Sequence, residues 1–250
     1  MQYKLGKKPP VVDSRTLQVS KYLDTLSAPP ASVNYYNKVS NWPMYDNDRF
    51  GDCTCAAAGH MEECWPMYAT GVLNEVPNLA VMHMYRHFNP YPQDNGCTLI
   101  EVLKYWRRVG LHNFKIDGFA QVQVTNTTEV KQAIDLFGGL YIGLALTNFV
   151  VPDTGANWLD IPWNLPAPSG TSAQDAAPNP NNGHCVNIVG YDDNGLTFIT
   201  WGALKTMNWE FFNAVSDEAY AVLSPNWFNA SGVSPVGLNL TAVQQDLKQV

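Results

Sequence analysis

Gly51-Asp52-Cys53-Thr54-Cys55-Ala56-Ala57-Ala58-Gly59-His60 opens a run that continues through Met61-Glu62-Glu63-Cys64-Trp65. A glycine and a capping-type aspartate lead into good helix formers, so the composition predicts a helix with Cys53 at or just before its first turn. There the unpaired backbone N–H groups and the positive end of the helix dipole favour an anion. A thiolate is such an anion, and a lowered thiol pKa makes a cysteine nucleophilic at neutral pH. The competing reading is a small buried hydrophobe, the common state of a free cysteine. Downstream, Asn182-Gly183-His184-Cys185-Val186-Asn187-Ile188-Val189-Gly190-Tyr191-Asp192-Asp193-Asn194-Gly195 reads as a strand opening on a histidine and closing in an Asn-Gly turn. A second strand, Leu196–Gly202, follows.

Composition narrows the function classes. The chain has 250 residues, 46% hydrophobic and 15% charged, which is globular and long enough for one large domain or two small lobes. A net charge of −7 argues against nucleic acid and against anionic membranes as partners. No apolar run is long enough to span a bilayer. Met1–Pro10 is basic but no apolar segment follows, so no secretory signal is expected, and a cytoplasmic or phage/virion-associated setting is favoured. Five cysteines are an odd number, so at least one is free or pairs between chains. No C-x-x-C spacing is present, and neither a metal nor a cofactor is expected.

A helix-start cysteine followed some 130–150 residues later by a histidine on a hairpin resembles the papain-like cysteine peptidases. The resemblance extends to Val33-Asn34-Tyr35 for the family's first strand, Trp42-Pro43-Met44 for its proline turn, and Gly51-Asp52-Cys53 for its Gly-Ser-Cys. Gly183-His184, Gly190-Tyr191 and Trp201-Gly202 match on the histidine side. It covers about residues 31–224 and suggests a divergent bacterial or phage-type member without a long propeptide. It implies an α+β fold of two lobes. A helical lobe (about 45–112) and an antiparallel β-sheet or barrel lobe (about 113–224) would hold the site in the cleft between them. Residues 1–30 would form an extended arm along the surface.

The resemblance also implies roles. Cys53 would be the nucleophile and His184 its base. Asn47, six residues before Cys53, stands where the family has an oxyanion-stabilising glutamine; it carries the same amide donor on a shorter stem, or is simply a turn residue. Asn95, Gly96, Gly183 and Trp201 would contact an extended peptide or protein substrate. One position departs: Ile199 stands where the family has the asparagine that orients the histidine, and isoleucine accepts no hydrogen bond. A shift of one residue offers Thr200, and Asn187 and Asp192 lie on the same hairpin. The expected activity is hydrolysis of peptide or amide bonds. The alternatives are a catalytically weak or silent binding or structural protein, and an acyltransferase using the same pair.

Between these anchors, helices are expected within Ser14–Leu26, Val72–His87, Leu99–Val109, from Thr127 or Thr128 to Ile134, and at Thr241–Lys248. Strands are expected within Asn113–Val124, at Leu140–Leu146 and at Ala219–Leu223. Asn148–Asn182 reads as a long loop overhanging the site, with Trp158 and Trp163 either shaping a pocket or pinning the loop. His60 reads as a structural histidine.

Overall fold

The computed structural model describes residues 3–23 and 28–248. Its centre is helix α2 (Cys53–Ala69), which begins at the expected residue, although the buried Asp52 side chain makes no capping hydrogen bond. Every residue from Cys53 to Pro66 is buried. Such a helix has no solvent face, so Ala56, Ala57, Ala58 and Gly59 let neighbours approach from all sides. A Cβ on Gly59 would sit 2.8 Å from the Tyr45 ring. Helices α3 (Asn78–Phe88) and α4 (Leu99–Arg108) pack beside α2. Helix α4 begins with a capping box, in which Thr98 Oγ1 accepts from the Glu101 N–H while the Glu101 carboxylate accepts from the Thr98 N–H.

The other half is a sheet of eight strands among the described residues: β1 (Leu17–Gln18), β2 (Val33–Asn34), β3 (Gly118–Gln121), β4 (Leu140–Thr147), β5 (Pro178–Tyr191), β6 (Gly195–Thr200), β7 (Ala203–Asn208) and β8 (Ser216–Leu223). Their order is β1-β3-β8-β4-β5-β6-β7, with β2 paired to β5. All pairings are antiparallel except β1 with β3. One hydrophobic core lies around α2 and a second around β4, β5 and helix α7 (Trp209–Val215). Among the described residues no helix is long and apolar enough to cross a membrane.

Several boundaries move from their sequence-based positions. The 14–26 helix reduces to β1 followed by α1 (Ser20–Leu23), and its last residues lie outside the described residues. Helix α3 starts at Asn78 because Pro77, extended at φ −65° and ψ 139°, blocks an earlier start. Of 113–124 only β3 is strand. Helix α5 (Thr127–Phe137) is capped by Asn126, not by either threonine, and ends at Gly138 in the left-handed region. The long loop holds a 3₁₀ turn (Trp158–Asp160) and helix α6 (Ala173–Ala176), and gives way to β5 at Pro178. The segment after Gly202 forms β7 before α7. The tail helix α8 spans Leu240–Lys248.

The largest departure is the arm. Its first residues do not run along the surface: Tyr3 and Lys7 are 5% and 6% exposed, whereas residues 9–12 are exposed as expected. The Gly6 and Lys7 N–H groups both donate to the Gly183 carbonyl (3.2 and 3.0 Å), while Cys97 N–H donates to Gly6 O (2.9 Å) and Lys8 N–H to Cys97 O (2.9 Å). The arm therefore fills the groove between the loop before α4 and the start of β5. Unpaired peptide groups on both edges recruit it, as buried backbone polar groups must be paired.

Burial of α2 also fixes its ionisation. Glu62 accepts from Trp106 Nε1 (2.9 Å) and Asn226 Nδ2 (2.7 Å), yet burial pushes its pKa up to about 8. Glu63 is pushed up to about 7 by burial. The folded state therefore holds protons that the unfolded chain releases near pH 4.3. The stability from this source is complete below that pH and is lost as pH rises towards 8. Glu62→Gln should shrink the loss of unfolding free energy between pH 5 and pH 8.5, by about 1 kcal/mol or more, in urea titrations at the two pH values. An unchanged difference would contradict a neutral Glu62.

Candidate active site

Cys53 is the first residue of α2, and it is 1% exposed. Asp52 precedes it, and burial raises its pKa well above the usual carboxylate range although the Asn47 side chain pulls it down. The lowered thiol pKa expected at a helix start is not found: burial pushes Cys53 up to about 12. The Cys185 and Gly6 N–H groups lower it, but burial outweighs them. The helix-dipole argument holds for a solvated first turn, and here the arm covers that turn.

His184 enters from β5 and is 1% exposed. Its Nε2 lies 2.7 Å from Thr200 Oγ1, whereas Nδ1 has no partner. Burial holds its pKa down to about 3. Ile199 is buried and paired with Asn187 in the ladder. The hydroxyl beside the imidazole is thus Thr200, one residue along. Asn187 falls on the strand face opposite His184 by the two-residue period of β5, and its buried amide has no partner. Asp192 caps the β5–β6 turn, accepting from the Asn194 and Gly195 N–H groups.

Trp201 stacks on His184, with ring centroids 4.5 Å apart and planes 22° apart. It reaches that position from a two-residue turn: Thr200 pairs with Ala203, and Trp201 and Gly202 have φ of 47° and 72°. Both central residues of such a hairpin turn need positive φ. Tryptophan tolerates it at a cost of about 1–2 kcal/mol, offset by its packing against His184 and Trp163. Trp163 is fully buried against Phe198, Phe211 and Trp201, so it is core beneath the histidine and not a pocket wall. Trp158 packs on Trp201 and on Tyr3 of the arm.

Asn47 follows two residues with left-handed backbone, Tyr45 (φ 56°) and Asp46 (φ 61°). The Tyr45 hydroxyl donates to Glu63 (2.7 Å), which helps hold this loop to α2. Asn47 is 2% exposed and its amide donates to Phe50 O (3.0 Å). Asn47, Cys53, His184, Thr200 and Trp201 line one cavity of about 10 Å³, with room for about one water. His60, two turns along α2 from Cys53, lines it too. Its Nε2–H donates to Pro43 O (2.7 Å), and burial holds its pKa down to about 4.

Of the expected substrate contacts, Gly96 and Gly183 touch the arm: a Cβ on either would come within 1.8 and 2.1 Å of the arm's carbonyl oxygens. Asn95 is exposed and uses its N–H on Asn89. Sequence reasoning missed Tyr141, whose hydroxyl donates to Thr54 O (2.8 Å) beside Cys185 and braces the start of α2 against β4. Only strand alternation could have marked it. All five cysteines are free and buried. Among the described residues no group of three or more His, Cys, Asp or Glu side chains converges as a metal site.

No protein-family model and no curated protein matches this chain. Solved structures do. Xylellain, a cysteine protease from Xylella fastidiosa, superposes with a TM-score of 0.65 at 14% identity over 89% of this chain and 96% of its own. The Carica candamarcensis cysteine protease CMS1MS2, solved with E-64, gives 0.54 at 16% identity over 78% and 98%. The precursor of stem bromelain gives 0.54 at 15% over 89% and 77%. At such identities the likeness carries the fold, which is papain-like α+β.

His184 should be neutral in the folded protein. Its stabilising contribution is complete above pH 6.5 and is lost as pH falls towards 3, because the unfolded chain takes up the proton first. Side-chain ¹⁵N shifts should be those of a neutral ring from pH 8 to pH 5. A charged ring at pH 6 would contradict this burial.

Proposed function

We propose that this chain is a cysteine-nucleophile hydrolase of peptide or amide bonds, with Cys53 as nucleophile and His184 as its base. Thr200 positions the imidazole and Asn47 is the oxyanion donor. The observation that carries this reading is that these four side chains, from separate stretches of sequence, line one cavity.

The roles follow from the donors and acceptors. With Nε2–H donated to Thr200 Oγ1, Nδ1 is the bare nitrogen and takes the Cys53 proton. The thiolate adds to the substrate carbonyl carbon. The Asn47 side-chain amide and the Cys53 backbone N–H stabilise the oxyanion. As the C–N bond breaks, His184 returns its proton to the departing amine and leaves a thioester on Cys53. Water, deprotonated by His184, then cleaves the thioester and regenerates the thiol. In the resting structure Nδ1 has no partner, so the ring and thiol close to hydrogen-bond range only once the groove holds a substrate. Burial that raises the Asp52 pKa lessens the like charge beside the thiolate.

The second reading, a catalytically silent scaffold, is favoured by Ile199 at the family's asparagine position and by that unpartnered Nδ1. Turnover of a fluorogenic peptide library separates the two. Cys53→Ala should abolish turnover. Thr200→Val should lower kcat about 10- to 100-fold, corresponding to loss of a hydrogen bond to an imidazolium worth about 1.5–3 kcal/mol. Thr200→Ser should retain most of it. A fully active Thr200→Val would remove the positioning role, and turnover in Cys53→Ala would remove the nucleophile.

A further inference from the structure

The arm meets the groove through glycines. A Cβ on Gly6 would lie 1.8 Å from Gly51 O, and one on Gly96 would lie 1.8 Å from Gly6 O. Gly6 is thus held between two backbone edges with no space for a side chain. Those edges are braced together: Asp94 Oδ1 accepts from the Gly51 N–H (2.9 Å) and from the Tyr85 hydroxyl, and that hydroxyl accepts from the Gly96 N–H (3.2 Å).

One residue on, Lys7 turns its side chain inwards. Its side chain is 1% exposed, with Nζ 2.7 Å from Asp217 Oδ2 and 3.6 Å from Glu218 Oε1. The lysine stem passes over Gly143 of β4, where a Cβ would come within 2.2 Å of Lys7 Cε. Gly143 pairs with Cys185 on one side and Glu218 on the other, so the missing side chain leaves a slot in the middle of the sheet. Glu218 is buried, and besides Lys7 its carboxylate has the Tyr220 hydroxyl at 3.1 Å. Glu218, buried at the end of a side-chain-sized slot with Asp217 at its exposed rim, needs a cation, since a buried charge without a partner is costly.

We propose that Gly143, Asp217 and Glu218 form a pocket of the groove that binds the lysine or arginine side chain of an extended peptide, and that Lys7 fills it here as an internal ligand. This rests on the groove being the substrate site proposed above and names the chemistry that it selects. The arm is suited to the task by charge as well as by shape. Lys4, Lys7 and Lys8 carry positive charge with no acid in residues 1–10, on a chain of net charge −7. While Lys7 is seated, Gly6 lies beside Cys53 and the groove is closed to other peptides.

Two measurements on the full-length chain test this. Gly6→Val cannot seat the arm, so Cys53 should alkylate with iodoacetamide at least 10-fold faster than in the unmodified protein, and Lys7→Met should show a smaller rise. In Cys53→Ala/Gly6→Val, which cannot turn substrate over, a fluorescein-labelled peptide Tyr-Lys-Leu-Gly-Lys-Lys should bind by anisotropy. The same peptide with norleucine at its fifth position should bind at least 10-fold more weakly, as should the unaltered peptide when Glu218→Gln or Asp217→Asn is added. Equal binding of the lysine and norleucine peptides would overturn the pocket. Cys53 labelling unchanged in both Gly6→Val and Lys7→Met would overturn the internal-ligand role. Should Gly6→Val fail to fold, Lys7→Met carries both measurements. A protein that hydrolyses nothing would still give these binding and labelling results, so failure of the hydrolase reading is seen separately.

Discussion

Burial of helix α2 on every side is the constraint on which the rest depends. It puts Asp52, Cys53, Cys55, His60, Glu62, Glu63 and Cys64 out of water together, and burial is the largest influence on the pKa of each. Acids and thiols are shifted up and the histidine down, so the neutral form is favoured in every case. A helix carrying so many ionisable groups can sit in a core only on those terms. Ordinary stability and the chemistry proposed for Cys53 therefore pull in opposite directions. The helix is stable while its groups are uncharged, and a thiolate–imidazolium pair requires two of its neighbours to charge.

The arm is the device that reconciles them. While Gly6 lies against the first turn of α2, bulk solvent is kept from Cys53 and burial favours the thiol form. Opening the groove restores solvent to the first turn of α2, and the dipole argument that failed for the closed state applies again. Tyr3 shares this arrangement: it stacks on Trp201 at 4.8 Å, and Trp201 in turn stacks on His184. The arm thus touches the surroundings of both Cys53 and His184 without hydrogen-bonding to the imidazole.

Much of the fold was legible in the sequence. The Cys53 helix start, the helix at Leu99 and the His184 hairpin rest on local chemistry: helix formers, apolar spacing and an Asn-Gly turn. Thr200 was legible only as an alternative, because a strand register is set by the pairing of both strands and a one-residue slip reverses every side chain. The arm's course could not be read at all. Nothing local in Tyr3–Lys8 distinguishes a surface strand from one inserted in a groove; its position is decided by Gly51, Gly96, Gly143 and Gly183, whose relevance lies in what they lack. The lowered thiol pKa failed for the same reason, since it assumed water where the arm lies.

The arm's contacts also set an order of events. Lys7 pairs with a residue 210 positions away and Lys4 accepts from the Trp201 indole across 197 positions. Contacts of such separation form only after the surfaces that make them exist, because long loops close late. Helix α2 and strands β4, β5 and β8 must therefore assemble before the arm has a seat. A chain with its groove built and its arm unseated would offer the same slot to any basic extended chain nearby. Covalent attachment gives the chain's own segment the advantage of a high effective concentration.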